Sequence, residues 1–493
     1  MNTDKHTLIR AKWAVGFQDG EHRLIDGGVI VIAGESIMHV GTTWTGRVDE
    51  TIEARNCLAI PGLISTHAHV AAQVTDRLVL DGGRRDFMRS GFLNCAPRKL
   101  SGGPSLGSFE DADASIAFAF AALLGHGVTT IAEAGNTGDV ADIMLRHAGA
   151  CGARLYYSPA YATGEYLFED DGRLVVHRDE TMGFEGLERA VRFIEDNDGA
   201  LDGRFRGILN PDEFYLSTPE LRRRTRAEAD RLGVGITMHF CEQLFEFHET
   251  LRLTGRTPVQ NLADEGFLGP DVLLGHCIYV AGHPMVAYPW DGDLELIAAS
   301  GATVAHAPLA LARRGVFLST FDRYRKAGIN IGMGTDSYPY DLIAEMRMGS
   351  LAGKIVGGDN EAAKARAVFD AATLGGAKAL GRNDLGRLAV GAKADIVLVD
   401  FDDVAIGPVW DPIRSLVMCA SGSNVRTVLV DGKVVVDEGQ VLFADEQDLM
   451  RRAQESCEAV WRRFPETHWT GKQMSEIFPP SLDAWREPAE GLS

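Results

Sequence analysis

Two histidines stand two residues apart in PGLISTHAHV, residues 61–70, an apolar, β-favouring run opened by a Pro-Gly turn. Residues i and i+2 of a strand share a face, so His67 and His69 point the same way and make a two-nitrogen clamp for a metal. Taken alone, such a pair is as often structural as functional. Three further residues change the balance, each closing a short run of strand-forming character: His239 in GITMHF, His276 in VLLGHC and Asp336 in NIGMGTD. Three imidazoles and a carboxylate from such a set form a nitrogen and oxygen site for one borderline divalent metal, zinc ahead of iron(II), with a position open to water. Metal binding lowers the pKa of that water from about 15.7 toward ~7, which gives a hydroxide-like nucleophile near neutral pH. Glu242 follows His239 by three residues, where strand gives way to loop, and its side chain would turn back over the metal to carry a proton to a leaving group. A solvated loop glutamate is the competing reading.

These residues need a frame that brings distant strand ends together. Between about residues 60 and 340, short β-branched runs alternate with helical segments, the pattern of a parallel sheet. Strands are expected at 63–70, 128–134, 153–160, 205–210, 235–240, 272–277, 302–307 and 330–336. The helical stretch TPELRRRTRAEADRLG carries Thr218 as cap, Pro219 in the first turn and Gly233 as stop. Eight such units close a (β/α)8 barrel, whose catalytic groups gather at the C-terminal strand ends. The fold class is thus α/β, a distorted barrel over 61–387. A small β-sandwich domain is expected from both chain ends, 1–60 and 388–445, with Asp431-Gly432 as a hairpin turn. Residues 446–493 read as a helical extension.

Composition narrows the function. The 493 residues are 45% hydrophobic and 24% charged, values of a globular chain, and the formal net charge of -20 repels phosphate backbones and anionic lipid. Nucleic acid and membrane are therefore not expected partners; a small-molecule substrate is. No run is long and apolar enough for a bilayer span, and the first residues lack a secretory pattern, so a cytoplasmic protein is expected. Seven scattered cysteines without CxxC pairs point to buried reduced thiols.

Over about residues 8–440 the chain resembles the amidohydrolase superfamily, in particular its branch of cytosine deaminases, adenosyl-nucleoside deaminases and triazine hydrolases. The likeness is carried by PGLISTHAH, GVTTIAE, the H-x-x-E of HFCE, GHC, GTDS and GRLAVGAKADIVLVD. The resemblance implies that His67, His69, His239 and Asp336 bind one metal, that Glu242 carries protons and that His276 orients the water or polarises the attacked group. It implies that Asp336 also accepts a proton from the water. Relatives are commonly homo-oligomers. Binuclear relatives bridge their metals through a carboxylated lysine at the end of the fourth strand. No lysine lies between Lys99 and Lys326, and Asn210 and Pro211 close that strand, so a single metal is favoured.

A departure falls after the seventh strand, where relatives carry H-x-P-x-S-N and this chain reads HAPLALARRG. His306 and Pro308 match and the Ser-Asn pair does not, which puts a standard nucleobase or nucleoside in doubt. His306 is expected either in substrate binding or packed in the core. The long connection 71–112 is expected to form a lid. Phe87, Met88, Phe92, Trp290, Tyr338 and Tyr340 would line an apolar pocket or pack loops, while Cys241 and Cys277 face the core. The expected activity is metal-dependent hydrolysis of a non-peptide C–N bond, by deamination or amide or urea cleavage, in a small aromatic or heterocyclic molecule. The alternatives are displacement of halide from an activated ring and a catalytically silent scaffold.

Overall fold

The computed structural model describes residues 5–70, 77, 96, 110–135, 140–316, 318–319 and 321–485. At its centre parallel strands follow one another around a ring. Leu63–Ala68, Val128–Glu133, Arg154–Tyr156 and Phe205–Arg206 form a four-stranded sheet; Ile208–Leu209, Gly235–Phe240, Val272–His276, Thr303–His306 and Asn330–Met333 form a five-stranded one. The fourth barrel strand belongs to both, because Phe205 and Arg206 pair with strand three while Ile208 and Leu209 pair with strand five. Gly207 marks the switch. A Cβ there would stand 2.5 Å from Ile194 Cγ2, so the helix Glu180–Asn197 packs against bare backbone. The ring closes between strands eight and one through a parallel bridge of Ala68 with Asp336. The helix Pro219–Leu232 has the expected ends: the Thr218 hydroxyl accepts from Leu221 N at 3.4 Å and Gly233 stops it at φ 68°.

Both ends of the chain meet in one nine-stranded sheet. His6–Gln18 runs parallel to Glu50–Pro61, which pairs antiparallel with Ile396–Asp400, so the two ends share a ladder. Ile9, Ile30, Ala59, Ile396 and Leu398 fill the core along it. The sheet curls until the turn Asp431-Gly432 reaches the turn at Gly34: a Cβ on Gly432 would stand 2.2 Å from Gly34 O, and Lys393 Nζ meets Glu35 at 2.6 Å. Glu50–Pro61 passes through Gly62 straight into the first barrel strand. A Cβ on Gly62 would lie 2.1 Å from Thr129 Oγ1, which explains the glycine that follows Pro61.

Some boundaries differ from the sequence reading. The first barrel strand ends at Ala68 rather than 70, the third covers only Arg154–Tyr156 rather than 153–160, and the fourth is split. After strand three the chain instead makes an unanticipated hairpin, Gly164–Phe168 with Leu174–Arg178. Alternation alone cannot tell strand from the extended loop that continues it. The C-terminal helix Glu446–Thr467 packs on Ala112–Gly125, with Arg452 on Asp111 at 2.8 Å, and Trp469 beyond it stacks on Phe168 of the hairpin at 5.2 Å. The expected lid, with Phe87, Met88 and Phe92, falls outside the described residues apart from Arg77, Ala96 and residues 110–112. Among the described residues no helix is long and apolar enough to cross a membrane.

At the N-terminal end of the barrel Arg154 ties barrel to terminal sheet. Its Nε and Nη2 donate to Asp395 at 2.7 and 3.0 Å, and Nη2 also contacts Asp431. All three side chains are buried, and the two carboxylates hold the guanidinium pKa above its ordinary value against the pull of burial. Arg154→Ala would leave buried Asp395 without its cation and Asp431 with only the longer contacts to Lys393 and Arg204 at 3.5 and 3.8 Å, and we expect it to cost about 3–5 kcal/mol of stability, measured as a lowered denaturation midpoint in urea. A midpoint within experimental error of wild type would show that this contact does not hold the two parts together.

Candidate active site

Each proposed ligand sits at a strand end because the backbone turns there. His67 closes strand one with His69 just beyond it; His239 lies near the end of Gly235–Phe240; His276 is the last residue of Val272–His276; Asp336 follows Asn330–Met333. Three turns in this set use the left-handed region without glycine: Cys241 at φ 50°, His276 at 71° and Asp336 at 53°. Strain of about 1–3 kcal/mol at such positions is typical of functional sites. The turn at Cys241 brings Glu242 round toward strand six, where its Oε2 stands 3.9 Å from His276 Nε2.

The rings gather closely. Ring centroids lie 4.8 Å apart for His67 and His239, 4.5 Å for His67 and His276, and 5.1 Å for the stacked His69 and His239. Ligand atoms of His67, His239 and His276 all lie within 4.8 Å of one another, as do those of His67, His69 and Asp336. Glycines make room: a Cβ on Gly275 would stand 2.9 Å from His67 Cε1, and one on Gly334 2.8 Å from His67 Cβ.

Charge and hydrogen bonding suit a cation. Burial holds His67 well below the usual imidazole value and His69 at about 3 despite nearby Asp336. Burial likewise lowers His276 against the opposing pull of Glu242 and Asp336. Neutral imidazoles keep the lone pairs that a metal needs. His239 Nδ1 lies 3.0 Å from the Asp212 carbonyl, which fixes that nitrogen as the donor and turns Nε2 toward His69 Nε2, 3.2 Å away. Among the described residues both nitrogens of His67, Nδ1 of His69 and Oδ2 of Asp336 are buried without a hydrogen-bond partner. Orphaned buried polar atoms are costly, and a divalent cation would take one nitrogen from an imidazole and an oxygen from the carboxylate among them. The residues present therefore fit a divalent metal.

Burial would raise Asp336, but His276, His69, Arg314 and Arg313 hold it at about 2. Burial would also raise Glu242, and His276, Arg314 and His239 outweigh it, so it falls below its ordinary value. Three nearby acids go the other way. Burial pushes Glu246 up to about 8 and takes Glu213 and Glu345 well above the usual carboxyl range. His306 is buried beside this group, held at about 3 by burial and then by His276. Tyr338 is buried under the Arg313 guanidinium, 4.3 Å from its ring. Trp290 is not drawn in: it is 36% exposed in the loop after strand six, with its ring against Gly292. Cys241 and Cys277 are buried in the core, as expected.

Sequence reasoning missed the ion pair of Arg314 Nη1 with Glu242 Oε1 at 2.8 Å. It also missed Tyr166, whose hydroxyl donates to Glu213 beside His239. A signal for the first was present, since ARRG directly follows Ala310 and Leu311, which stand where relatives carry the Ser-Asn pair. Tyr166 lies on the unanticipated hairpin, where nothing in the local pattern marked it.

Residues 58–435 match the Amidohydrolase family. The chain belongs to the amidohydrolase family. It is 30% identical over 443 residues to a 5'-deoxyadenosine deaminase of Methanosarcina barkeri, covering 89% of this chain and 95% of that one. It is also 30% identical over 454 residues to a 5-methylthioadenosine/S-adenosylhomocysteine deaminase of Halobacterium salinarum, at 90% and 95% coverage. Among solved structures, atrazine chlorohydrolase from Arthrobacter aurescens TC1 complexed with zinc superposes with a TM-score of 0.74 at 25% identity, covering 91% of this chain and 99% of that one. An adenosine deaminase from Xanthomonas campestris with bound zinc shares the fold, with a TM-score of 0.75 at 20% identity over 92% and 98% of the chains. This amidohydrolase is a metal-dependent hydrolase of carbon–nitrogen bonds other than peptide bonds, acting on a small molecule.

Metal analysis after zinc reconstitution should give about one ion per chain for wild type and a small fraction of that for His67→Ala. Gly275→Ala keeps every ligand but pushes on the His67 ring, and we expect it to weaken metal affinity by roughly 10–100-fold, the scale of a disturbed supporting contact. Wild-type affinity in Gly275→Ala would show that His67 is not held by this packing.

Proposed function

We propose that His67, His69, His239 and Asp336 hold one divalent ion, zinc, and that the protein removes an exocyclic amino group from a small nitrogen heterocycle as ammonia. The observation that carries this reading is the position of Glu242 and His276, facing each other at 3.9 Å on one side of the ligand set. The names of relatives that match nine-tenths of the chain support it. A bound divalent ion would supply a water of lowered pKa as the nucleophile.

The chain's own groups do the rest. Asp336 accepts the proton of the attacking water at Oδ2, the oxygen not turned to His69. His276, neutral and buried, contacts the attacked carbon's substituents through Nε2 and orients them. Glu242 Oε2 takes the second proton of the attacking water, from the hydroxyl added to the carbon, and delivers it to the departing nitrogen, which leaves as ammonia rather than as a far poorer amide-like anion, while the proton on Asp336 passes to the ring nitrogen of the product. His306 and Tyr338 wall the ring-binding space, and the buried surroundings exclude bulk water. To the same proposal belong division of the chain near residues 60, 388 and 445, two facing layers in the curled terminal sheet, self-association and a cytosolic setting. The -20 charge and five buried thiols agree with that setting, while Cys419 is exposed where a buried thiol was expected.

A panel of adenine nucleosides, aminopyrimidines, ureas and anilides assayed for ammonia or amine release tests the reading. Ammonia release should depend on zinc, stop with a chelator and fall by about 10²-fold or more in kcat for Glu242→Gln and for His276→Asn. His276→Asn should keep nearly full zinc and His239→Asn should lose it; loss of both metal and turnover in His276→Asn would make His276 a ligand. Likeness to atrazine chlorohydrolase favours a second reading, and release of chloride without ammonia across matched substrates would move the assignment to it.

A further inference from the structure

The loop after strand seven carries two consecutive arginines, and they reach in different directions. Arg314 Nη1 donates to Glu242 Oε1 at 2.8 Å, with the two side chains 7% and 14% exposed. Arg313 Nη2 donates to Ser337 Oγ at 2.8 Å and Nη1 to Tyr338 O at 3.1 Å, and its guanidinium lies over the Tyr338 ring. One short loop thus grips the segment after strand five, which holds Glu242, and the segment after strand eight, which holds Asp336. The arginines follow Ala310 and Leu311, which occupy the positions of the missing Ser-Asn pair.

A carboxylate has two oxygens that a side-chain rotation exchanges, and a glutamate on a loop samples several rotamers. A proton carrier serves only if one oxygen stays within hydrogen-bond reach of the departing atom. We propose that Arg314 is a positioning residue for proton transfer: it holds Glu242 Oε1, so that Oε2, on the His276 side, is the atom that carries the proton. Arg313 anchors the loop to the Asp336 segment, so the proton carrier and the acceptor keep one spacing. The ion pair is buried on both sides, where a charge-assisted contact is stronger than at a surface. This inference rests on the reading of Glu242 as proton carrier.

A role in positioning differs from a role in folding by what it spares. Proton delivery matters for a departing amine and little for a departing halide. The wild type and Arg314→Gln are therefore compared on the best aminoheterocycle of the panel and its chloro counterpart, with zinc content measured on the same preparations. Starting probes are 5′-deoxyadenosine and its 6-chloro analogue. The amine-to-chloride ratio of kcat/KM should fall by about 10²-fold in Arg314→Gln at full zinc, and Arg314→Lys should restore part of it. In the Glu242→Gln background, Arg314→Gln should add almost nothing, because it acts through the group already removed. An equal loss on both substrates, or a full added loss in the double variant, would overturn the proposal. If Glu242→Gln itself leaves the ratio unchanged, the reading of Glu242 fails instead. A crystal structure of zinc-loaded Arg314→Gln reads the same geometry without turnover: Glu242 Oε2 should move away from His276 Nε2, and an unmoved carboxylate sinks the proposal.

Discussion

Strands one and eight join through the backbone of the residues that carry the candidate ligands. Asp336 N donates to His67 O at 2.9 Å and His69 N to Asp336 O at 3.0 Å, beside the single bridge between Ala68 and Asp336. Closing the barrel and spacing His67, His69 and Asp336 are therefore one interaction. The approach is close enough that only glycine fits at residue 334, where a Cβ would press on His67. Thr66 Oγ1, donating to Met333 O at 2.9 Å, strengthens the same seam. A cation bridging the side chains of these strands would pull in the direction that the backbone bonds already pull, so metal affinity and barrel stability are coupled at this seam.

Burial then sorts the acids by neighbour. Glu213, Glu246 and Glu345 are raised because desolvation dominates; Glu246 finds backbone amides but no facing cation strong enough to reverse it. Glu242 and Asp336 lie as deep and are lowered, because imidazoles and the two arginines outweigh the same desolvation. Carboxyl groups pushed apart in this way within one site take different parts in proton traffic. The pair held low is the pair that shares His276 and Arg314 as neighbours, with Glu242 Oε2 3.9 Å from His276 Nε2.

The convergence of the candidate ligands was legible in the sequence because strand periodicity is strict: a two-residue spacing in THAH and three separate strand-closing positions come together only if the strands are parallel and adjacent. The barrel itself was legible from the alternation, and the helix ends from Thr218, Pro219 and Gly233. Contacts set by long-range packing were not. Arg154 pairs with Asp395 and Asp431 across more than two hundred residues, and Arg314 meets Glu242 across 72. No local pattern encodes which loop an arginine will reach. Glu213 and Tyr166 were hidden for a related reason, since the hairpin that carries Tyr166 lies beyond residue 160, where no element was expected.

Buried polar groups cluster at both ends of the barrel, and the two clusters are built from different groups. At the N-terminal end Asp395 accepts two bonds from Arg154 and a third from Asp431 N, while Oδ2 of neighbouring Asp431, without a hydrogen-bond partner among the described residues, faces Arg204 at 3.8 Å. At the C-terminal end Asp336 Oδ2, both nitrogens of His67 and one of His69 have no such partner among the described residues, and three neighbouring turns sit in left-handed backbone. Each orphaned group costs about 1–3 kcal/mol and each strained turn a similar amount. A fold retains such a cluster only when the surrounding contacts outweigh it, and the terminal sheet locked to the barrel by Arg154 supplies contacts of that kind at the end where no chemistry is done.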